Sequence, residues 1–137
     1  MKKLARTSMT YMIVGLLAGV FYREFGRFND FHGKSQLNTL HTHILVLGMF
    51  FFLIVLLLEK NFQLSEHKHY KKFYAIYNSG LGITLLLMLI HGSMTVLGYE
   101  DSPMIAGMAG LGHIILTVGL GFFFNVLIGQ VNKQEFK

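Results

Sequence analysis

The sequence of 137 residues has no cysteine, a single proline and only 14% charged residues. The absence of cysteine excludes thiolate metal sites, iron–sulfur clusters and disulfides. The scarcity of charge, together with 53% hydrophobic residues and a mean hydropathy of +0.49, excludes an ordinary soluble domain. We therefore predict one small integral membrane domain that spans residues 1–137 and has the lipid bilayer as its first partner.

Several functional signatures are also missing. The apolar runs beyond residue 38 carry no carboxylate and the chain has no Ser/His/Asp set, so no catalytic residue is identified. The glycines of "GMAGLG", residues 107–112, lie inside an apolar run with no preceding strand, which indicates helix packing rather than phosphate binding. The net charge of +5 is concentrated at the ends of apolar runs, which argues against a nucleic-acid partner.

Four apolar segments are present, and the last three are each uncharged over about 20 residues, the length that spans a bilayer. The first segment is shorter and follows Lys2, Lys3 and Arg6, a pattern that also fits a signal peptide. No small-x-small cleavage site follows it, which favours a retained helix. We predict an all-α, four-helix transmembrane bundle with helices at about 8–25, 39–58, 73–98 and 104–129.

The distribution of lysine and arginine predicts the orientation of the bundle. Basic residues cluster at the N-terminus, in the second loop around Lys68 and in the tail, whereas the third loop, "YEDSP", is acidic. The positive-inside rule therefore predicts that both termini are cytoplasmic. The first and third loops then lie on the outer side of the membrane.

Histidines interrupt the apolar runs at four positions. At 1.5 Å per residue, His41 and His43 lie roughly 3 and 6 Å inside the outer boundary, His91 about 10 Å and His113 about 13 Å. All four are thus predicted in the outer half of the membrane. Ionisable residues are costly at such depths, which favours a functional site. The remaining histidines, His32, His67 and His69, are predicted to be solvated.

The two histidines of "LHTHILVLG" cannot share a partner. They are two residues apart, so His41 and His43 point about 200° from one another on an α-helix. His41 shares its face with Leu45 and Gly48. Small and hydroxyl residues beside the histidines favour a bundle interior with room for a flat ligand. On the later helices these neighbours are Thr84, Thr95 and Gly98 for His91, and Ala106, Gly110 and Thr117 for His113.

Imidazole is a good ligand for haem iron, and two histidines from facing helices at matching depth can bind it axially. His91 and His113 are the pair best matched in depth. A pairing of His41 or His43 with His113 would need a tilted helix or a tilted haem. The sequence therefore predicts a b-type haem held by histidines in the outer half of the bilayer.

The haem propionates need cations near the interface, and Arg23 and Arg27 lie at the same outer side. Two alternatives remain open. One is a compact copper or zinc site built from His41, His91 and His113, which must converge to within about 2 Å of one ion. The other is a structural or assembly protein in which titrating histidines relay protons or signals without a cofactor.

Nearly the whole chain resembles an uncharacterised family of small four-helix membrane proteins from Gram-positive bacteria. The matching stretches are "GLLAGVFYREF", "LHTHILVLGMFFFLIVLLLEK", "HGSMTVLG" and "GLGHIILT". This resemblance implies a multi-pass protein of the bacterial cytoplasmic membrane. It implies no activity.

The start of the second helix, "LHTH", resembles the second helix of the main subunit of haem–copper oxidases and nitric-oxide reductases. Those proteins have Leu-His-Thr-Asn there, and the resemblance implies an axial haem role for His41. In this chain His43 replaces the Asn, and the later copper-binding cluster has no counterpart, so oxidase activity is not implied. Because that family is built from three four-helix arcs, the resemblance also suggests a homo-oligomer, with a trimer as one form.

The sequence thus predicts a membrane haem protein that serves electron transfer, haem handling or haem sensing. It does not choose among these three roles.

Overall fold

The computed structural model describes residues 1–99 and 103–135, without the side chains of 103–106, 109 and 135. Within these ranges the chain forms four helices, each long and apolar enough to cross a membrane. The predicted all-α, four-helix architecture is therefore confirmed. The helices are α1 (Lys2–Phe28), α2 (Leu37–Phe62), α3 (Tyr70–Val96) and α4 (Pro103–Glu135).

The observed helices differ from the predicted ones mainly at their ends. The polar residues that flank the apolar runs continue the helical hydrogen bonding, so α1 begins at Lys2 and α2 continues to Phe62. Because the helical hydrogen-bond ladder satisfies backbone groups at the interface as well as in lipid, a helix need not end where apolar residues end. Most of the acidic third loop lies outside the described residues.

The second helix is not uniform. It begins as an α-helix over Leu37–His43, widens into a π-helix over Ile44–Phe50 and returns to an α-helix over Phe51–Phe62. A π-turn hydrogen-bonds from residue i to i+5 and so holds about one residue more than an α-turn. The π segment directly follows the two histidines of this helix.

Short connections place the helices in up-down order. After α1 the chain turns at Asp30, which has a φ of 48°, and α2 ends at Gln63 with a φ of 53°. A residue in this left-handed conformation stops a helix and reverses the chain. We call the end of the bundle where α1 ends and α2 begins the distal end, and the opposite end the terminal end.

The helices α3 and α4 pack closely along their length through glycines. A Cβ atom at Gly80 would lie 2.5 Å from the backbone nitrogen of Leu116, so these two helices approach backbone to backbone. Small residues permit such an approach in a membrane, where helix association depends on van der Waals contact. The three contacts of this kind are Gly80 with Leu116, Gly112 with Thr84, and Gly119 with Tyr77.

The first helix packs on α2 through two glycines one turn apart. Gly15 lies against Leu45, and Gly19 lies against the ring of His41. The pair forms a Gly-x-x-x-Gly pattern that serves an intrachain helix contact here. This packing fixes the direction in which His41 points.

Two apolar clusters hold the bundle together. The cluster at the terminal end is aromatic, and its residues Phe52, Phe73 and Tyr77 are almost completely buried. The cluster at the distal end is smaller and joins the start of α2 to the end of α3. Its buried members are Leu37, Leu40, Ile44 and Val96. On α2, His41 and His43 lie between the cluster residues Leu40 and Ile44, and on α3 His91 precedes Gly92, which lies against Leu37.

Candidate functional site

His41 points from α2 towards α1. Its ring borders a groove of about 270 Å³ that is also lined by Gly15, Gly19 and Arg23 of α1. The Nδ1 atom is buried and has no hydrogen-bond partner among the described residues. The other ring nitrogen lies 3.4 Å from the Thr42 hydroxyl, at the long end of hydrogen-bond distances. His41 therefore lies at the contact between α1 and α2, partly exposed.

His43 points the other way and makes a well-formed hydrogen bond. Its Nδ1 atom lies 2.9 Å from the carbonyl oxygen of Thr39, one turn earlier in α2. Because a carbonyl can only accept, Nδ1 carries the proton and donates it. The Nε2 atom of the neutral ring is then left with its lone pair. Histidines that ligate metals are usually oriented and fixed in one tautomer in this way.

His91 borders a second groove, of about 360 Å³, between the start of α2 and the end of α3. Thr39 lines the same groove, and its carbonyl holds His43. His43 and His91 therefore lie on the same side of α2, the side that faces away from His41. The remaining residues that line this groove are Lys34, Ser35, Gln36 and Thr95.

The depth of His43 and His91 follows from the contact between α2 and α3. A Cβ atom at Gly92 would lie 2.6 Å from the backbone nitrogen of Leu37, so these two residues stand at the same level. His91 is one residue from that level, or about 1.5 Å. His43 is six residues beyond Leu37 along α2, about 9 Å towards the terminal end.

The depth of His113 follows from the contact between α3 and α4. Gly112 lies against Thr84, where an added Cβ would meet the Thr84 hydroxyl at 2.6 Å. Thr84 is eight residues from Gly92, about 12 Å towards the terminal end, and His113 is one residue further in the same direction. On this count His113 lies about 14 Å from the level of Gly92.

These levels change the expected pairing of the histidines. His43 and His113 differ by about 5 Å along the bundle axis, whereas His91 and His113 differ by about 12 Å. The tight contact of Gly80 with Leu116 also leaves no space for a macrocycle between α3 and α4 in this stretch. The expectation that His91 and His113 are the pair best matched in depth is therefore wrong.

The π segment determines where His43 points. Because this segment holds about one residue more than two α-turns would, His43 and Phe51 share a face although they are eight residues apart. The ring of Phe51 packs against that of Phe123 on α4, with 5.3 Å between centroids. Because the same Phe51 ring stacks on Tyr77 of α3 at 4.2 Å, we infer that His43 is directed towards the side on which α3 and α4 lie.

The helices α2 and α4 diverge towards the distal end. Near the terminal end they meet through Phe51 and Phe123. Further out, the described part of α4 packs along α3, and Leu37–His43 packs on α1 and α3. His43 belongs to α2 and the exposed His113 to α4, and the space that this divergence leaves between the two helices lies over α3. We call this space the α2–α4 cleft.

The expected propionate partners lie on the side of His41, away from His43 and His91. Arg23 and Arg27 line a basin of about 430 Å³ at the distal end of α1, on the His41 side of α2. Arg23 is also held by Glu24 at 2.8 Å. Lys34, which was not predicted as a propionate partner, lines the same groove as His91. Its position in the first loop gave no signal, because the approach of that loop to α3 depends on the tertiary fold.

The three proposed metal ligands are not brought together in the part of the chain that the structure describes. Among the described residues, no three His, Asp or Glu side chains lie close enough to hold one metal ion. His41 is separated from the other two proposed ligands, His91 and His113, because it faces α1. The four histidines also border grooves or the protein surface. None of them is fully buried, although the sequence favoured a position in the bundle interior.

The loop histidines were expected to be solvated, and two of them, while partly exposed, also contact α4. The Nδ1 atom of His69 lies 2.9 Å from the amide oxygen of Asn125 on α4. The ring of His67 lies against Gly129, where an added Cβ would meet Nε2 at 2.8 Å. His32 is exposed and pairs with Asp30 at 3.1 Å. The second loop is therefore docked onto α4.

Comparison with known proteins identifies the family. The family described as "Protein of unknown function (DUF2871)" matches residues 1–130, and the chain belongs to it. This confirms the expected uncharacterised family, and its four helices fit the fold described above. No curated protein and no solved structure matches the chain. The resemblance to haem–copper oxidases therefore rests on "LHTH" alone.

Proposed function

We propose that this member of the family binds a b-type haem in the α2–α4 cleft, with His43 and His113 as the two axial ligands. The role of the protein would be electron transfer within the membrane. The cofactor, b-type haem, is the one that the sequence predicts. The ligand pair differs, because His43 takes the place of His91 beside His113.

The observation that carries the proposal is the hydrogen bond from His43 Nδ1 to the Thr39 carbonyl. It fixes the tautomer that leaves the Nε2 lone pair of the neutral imidazole for a ligand, which is the form that binds iron. His41, by contrast, has a buried Nδ1 atom without an acceptor. Ligation through His41 Nε2 would leave that Nδ1 proton without a partner, at a cost of about 1–3 kcal/mol.

The arrangement of helices supports the same pair. Two axial ligands must come from opposite faces of a flat macrocycle, and α2 and α4 stand on opposite sides of the cleft. The difference of about 5 Å in depth between His43 and His113 is less than one helical turn and is within the reach of two imidazole side chains. The helix α3 offers apolar contact beneath the cleft through Met88, which packs against the distal cluster.

The distal mouth of the cleft suits the propionates. Lys34 and Thr95 line the groove beside His91 at this end of the bundle, and Lys34 supplies a positive charge there. Charge-assisted hydrogen bonds to carboxylates are stronger than neutral ones. The haem would then lie with its edge towards the first loop. The basic termini and second loop favour an orientation in which this edge is near the outer face of the bacterial cytoplasmic membrane.

The ligand pair favours one role among those the sequence left open. Bound haem supplies one-electron redox chemistry, and two histidine ligands leave no open position for oxygen or a substrate. Electron transfer therefore fits this site better than oxygen activation. The pair needs only one chain, so the suggested homo-oligomer, including the trimer, is a separate proposal that native mass spectrometry of the purified protein tests.

The test is expression with haem supplied, followed by absorption spectra of the purified protein in both redox states. We expect a Soret band and the spectrum of a haem with two histidine ligands. His43→Ala and His113→Ala should each abolish or shift it. His41→Ala is the matched control, because it removes an imidazole two residues away that faces α1.

Several results would contradict the proposal. The absence of a Soret band would exclude haem, and stoichiometric copper or zinc by metal analysis would then favour a metal site. A spectrum lost in His41→Ala but kept in His43→Ala would place the haem in the groove beside α1. Protein without any cofactor would favour the structural or relay function.

A further inference from the structure

The π segment of α2 receives hydrogen bonds from two other helices. The hydroxyl of Tyr77 on α3 donates to the carbonyl of Leu47 at 2.8 Å, and the hydroxyl of Ser8 on α1 donates to the carbonyl of Met49 at 2.9 Å. A π-turn leaves carbonyl groups without their α-helical partners, and in a membrane such groups must be satisfied within the protein. These two hydroxyls perform that task.

Glycine at position 48 lets α1 approach the same segment. An added Cβ at Gly48 would lie 2.5 Å from Cδ1 of Tyr11, so the ring of Tyr11 lies directly against the π backbone. The hydroxyl of Tyr11 is held in turn by the amide oxygen of Asn78 at 2.8 Å. The π segment is therefore held in place by contacts from both α1 and α3.

The π segment controls the direction of His43. In a regular α-helix, residues seven apart lie on nearly the same face, so Ile44 would take the position above Phe51. His43 would then be turned away by about 100°. With the π segment, His43 occupies that position and faces the α2–α4 cleft.

From these contacts we infer that Tyr77 is a positioning residue for His43, acting through the Leu47 carbonyl. Without its hydroxyl, the segment can relax towards α-helix, and the distal part of α2, with both histidines, rotates. This inference rests on the proposed function in so far as His43 is a haem ligand. The rotation of α2 itself does not depend on haem.

The ring of Tyr77 is held by packing contacts that do not involve its hydroxyl, so the role of the hydroxyl can be tested separately. Tyr77 is 1% exposed and its ring stacks on Phe51 with 4.2 Å between centroids. Its backbone also packs against Gly119. Tyr77→Phe should therefore keep the aromatic packing and remove one hydrogen bond.

The experiment compares Tyr77→Phe with Tyr74→Phe in the full chain. The Tyr74 hydroxyl pairs with Thr7 of α1 at 2.6 Å, so the control also removes a hydroxyl contact between two helices, but away from the π segment. We expect Tyr77→Phe to weaken haem binding about tenfold and to change the absorption spectrum. Tyr74→Phe should leave the spectrum unchanged. Equal spectra for both variants and wild type would overturn the inference.

Deletion of Val46 in the Tyr77→Phe background should rescue the spectrum. Val46 lies in the π segment with 50% of its surface exposed. After its removal, His43 and Phe51 are separated by seven positions instead of eight. Seven residues of α-helix span the same two turns, so His43 faces the cleft again without the Tyr77 hydroxyl. A mutant that lost haem through general damage would not be restored by a deletion. Failure of the rescue would contradict the inference.

A measurement without haem separates this inference from the proposed function. Because the chain has no cysteine, spin labels at Thr39→Cys and Thr117→Cys report the relation of α2 to α4. Tyr77→Phe should shift or broaden the distance between the labels, and Tyr74→Phe should not. A shifted distance with unchanged haem binding would retain the role of Tyr77 in α2 and reject His43 as a ligand. An unchanged distance would reject the role of Tyr77.

Discussion

His43 and Phe51 lie on one face of α2 although eight residues separate them, because the π segment between them takes up the extra residue. Phe51 packs against both α3 and α4 at the terminal end, and we infer that His43 is directed towards the same side of α2. One backbone irregularity therefore connects the aromatic cluster with the proposed haem ligand. It also directs His41 to the opposite side, towards α1.

Replacing Lys34 with glutamine should weaken haem binding by about threefold, the effect of an exposed charge pair of somewhat less than 1 kcal/mol. The reason is that Lys34 supplies the positive charge at the mouth of the groove beside His91. Haem titration followed at the Soret band measures the change, and the loss should diminish at high salt.

Lys60→Gln is the matched control for Lys34, because it removes an exposed lysine at the terminal end. It should not alter haem affinity. Equal affinities for Lys34→Gln and Lys60→Gln would show that the propionates lie elsewhere, for example beside Arg23 and Arg27.

The sequence was sufficient for the four spans and for the divergence of His41 and His43. Long uncharged apolar runs have few stable alternatives to membrane helices. A separation of two residues also fixes two directions about 200° apart on a helix. These features depend on local geometry, which a single sequence contains.

The pairing of the histidines as haem ligands could not be predicted from the sequence. The depths of His91 and His113 depend on how α3 and α4 slide past one another, which the Gly112 contact with Thr84 determines. Counting from predicted helix ends missed this offset. The π segment, "ILVLGMF", has no pattern of its own, because the groups that stabilise it, Tyr77 and Ser8, belong to other helices.

Gly80→Ala should destabilise the protein by about 1–3 kcal/mol, the usual range for overpacking a tight contact. An added Cβ would lie 2.5 Å from the backbone of Leu116, so α3 and α4 would have to separate. Thermal unfolding in detergent should show a lower midpoint for this variant.

Gly82→Ala provides the control on the same helix. Nothing lies within 4 Å of an added Cβ at Gly82, and alanine favours helix over glycine by about 1 kcal/mol. This variant should be as stable as wild type or slightly more stable. A similar loss for both variants would mean that the contact with Leu116 is not what limits stability.

Glu59→Ala should cost about 1–3 kcal/mol of stability by removing a buried, charged acceptor from two hydrogen bonds. Glu59 is only 9% exposed, and its carboxylate accepts from the backbone N–H of Ser65 at 2.8 Å and from the Ser65 hydroxyl at 2.5 Å. Removing it should loosen the turn after α2. Denaturant or thermal unfolding in detergent measures the loss.

Glu66→Ala is the comparison for Glu59. Glu66 pairs with Lys133 at 3.2 Å, but both side chains are more than half exposed. Surface pairs of this kind contribute about 0–1 kcal/mol. If Glu66→Ala proved as damaging as Glu59→Ala, the assignment of stability to the buried carboxylate would fail.

Stability should fall as the pH is lowered through about 6.5, in part because of His67. Burial in the docked second loop, and then the neighbouring His69 and Lys68, lower the pKa of His67 below its ordinary value of 6.5. The unfolded chain therefore binds more protons than the folded one between the lowered pKa and 6.5, and protonation favours unfolding in that window. Below the lowered pKa both states are protonated and no further loss arises from this residue.

His67→Gln should reduce the drop in unfolding temperature between about pH 7.5 and pH 5.5, since glutamine does not titrate. His32→Gln, at an exposed histidine, should leave that drop unchanged, and an equal effect of the two variants would show that the docking of the loop against Gly129 does not perturb His67.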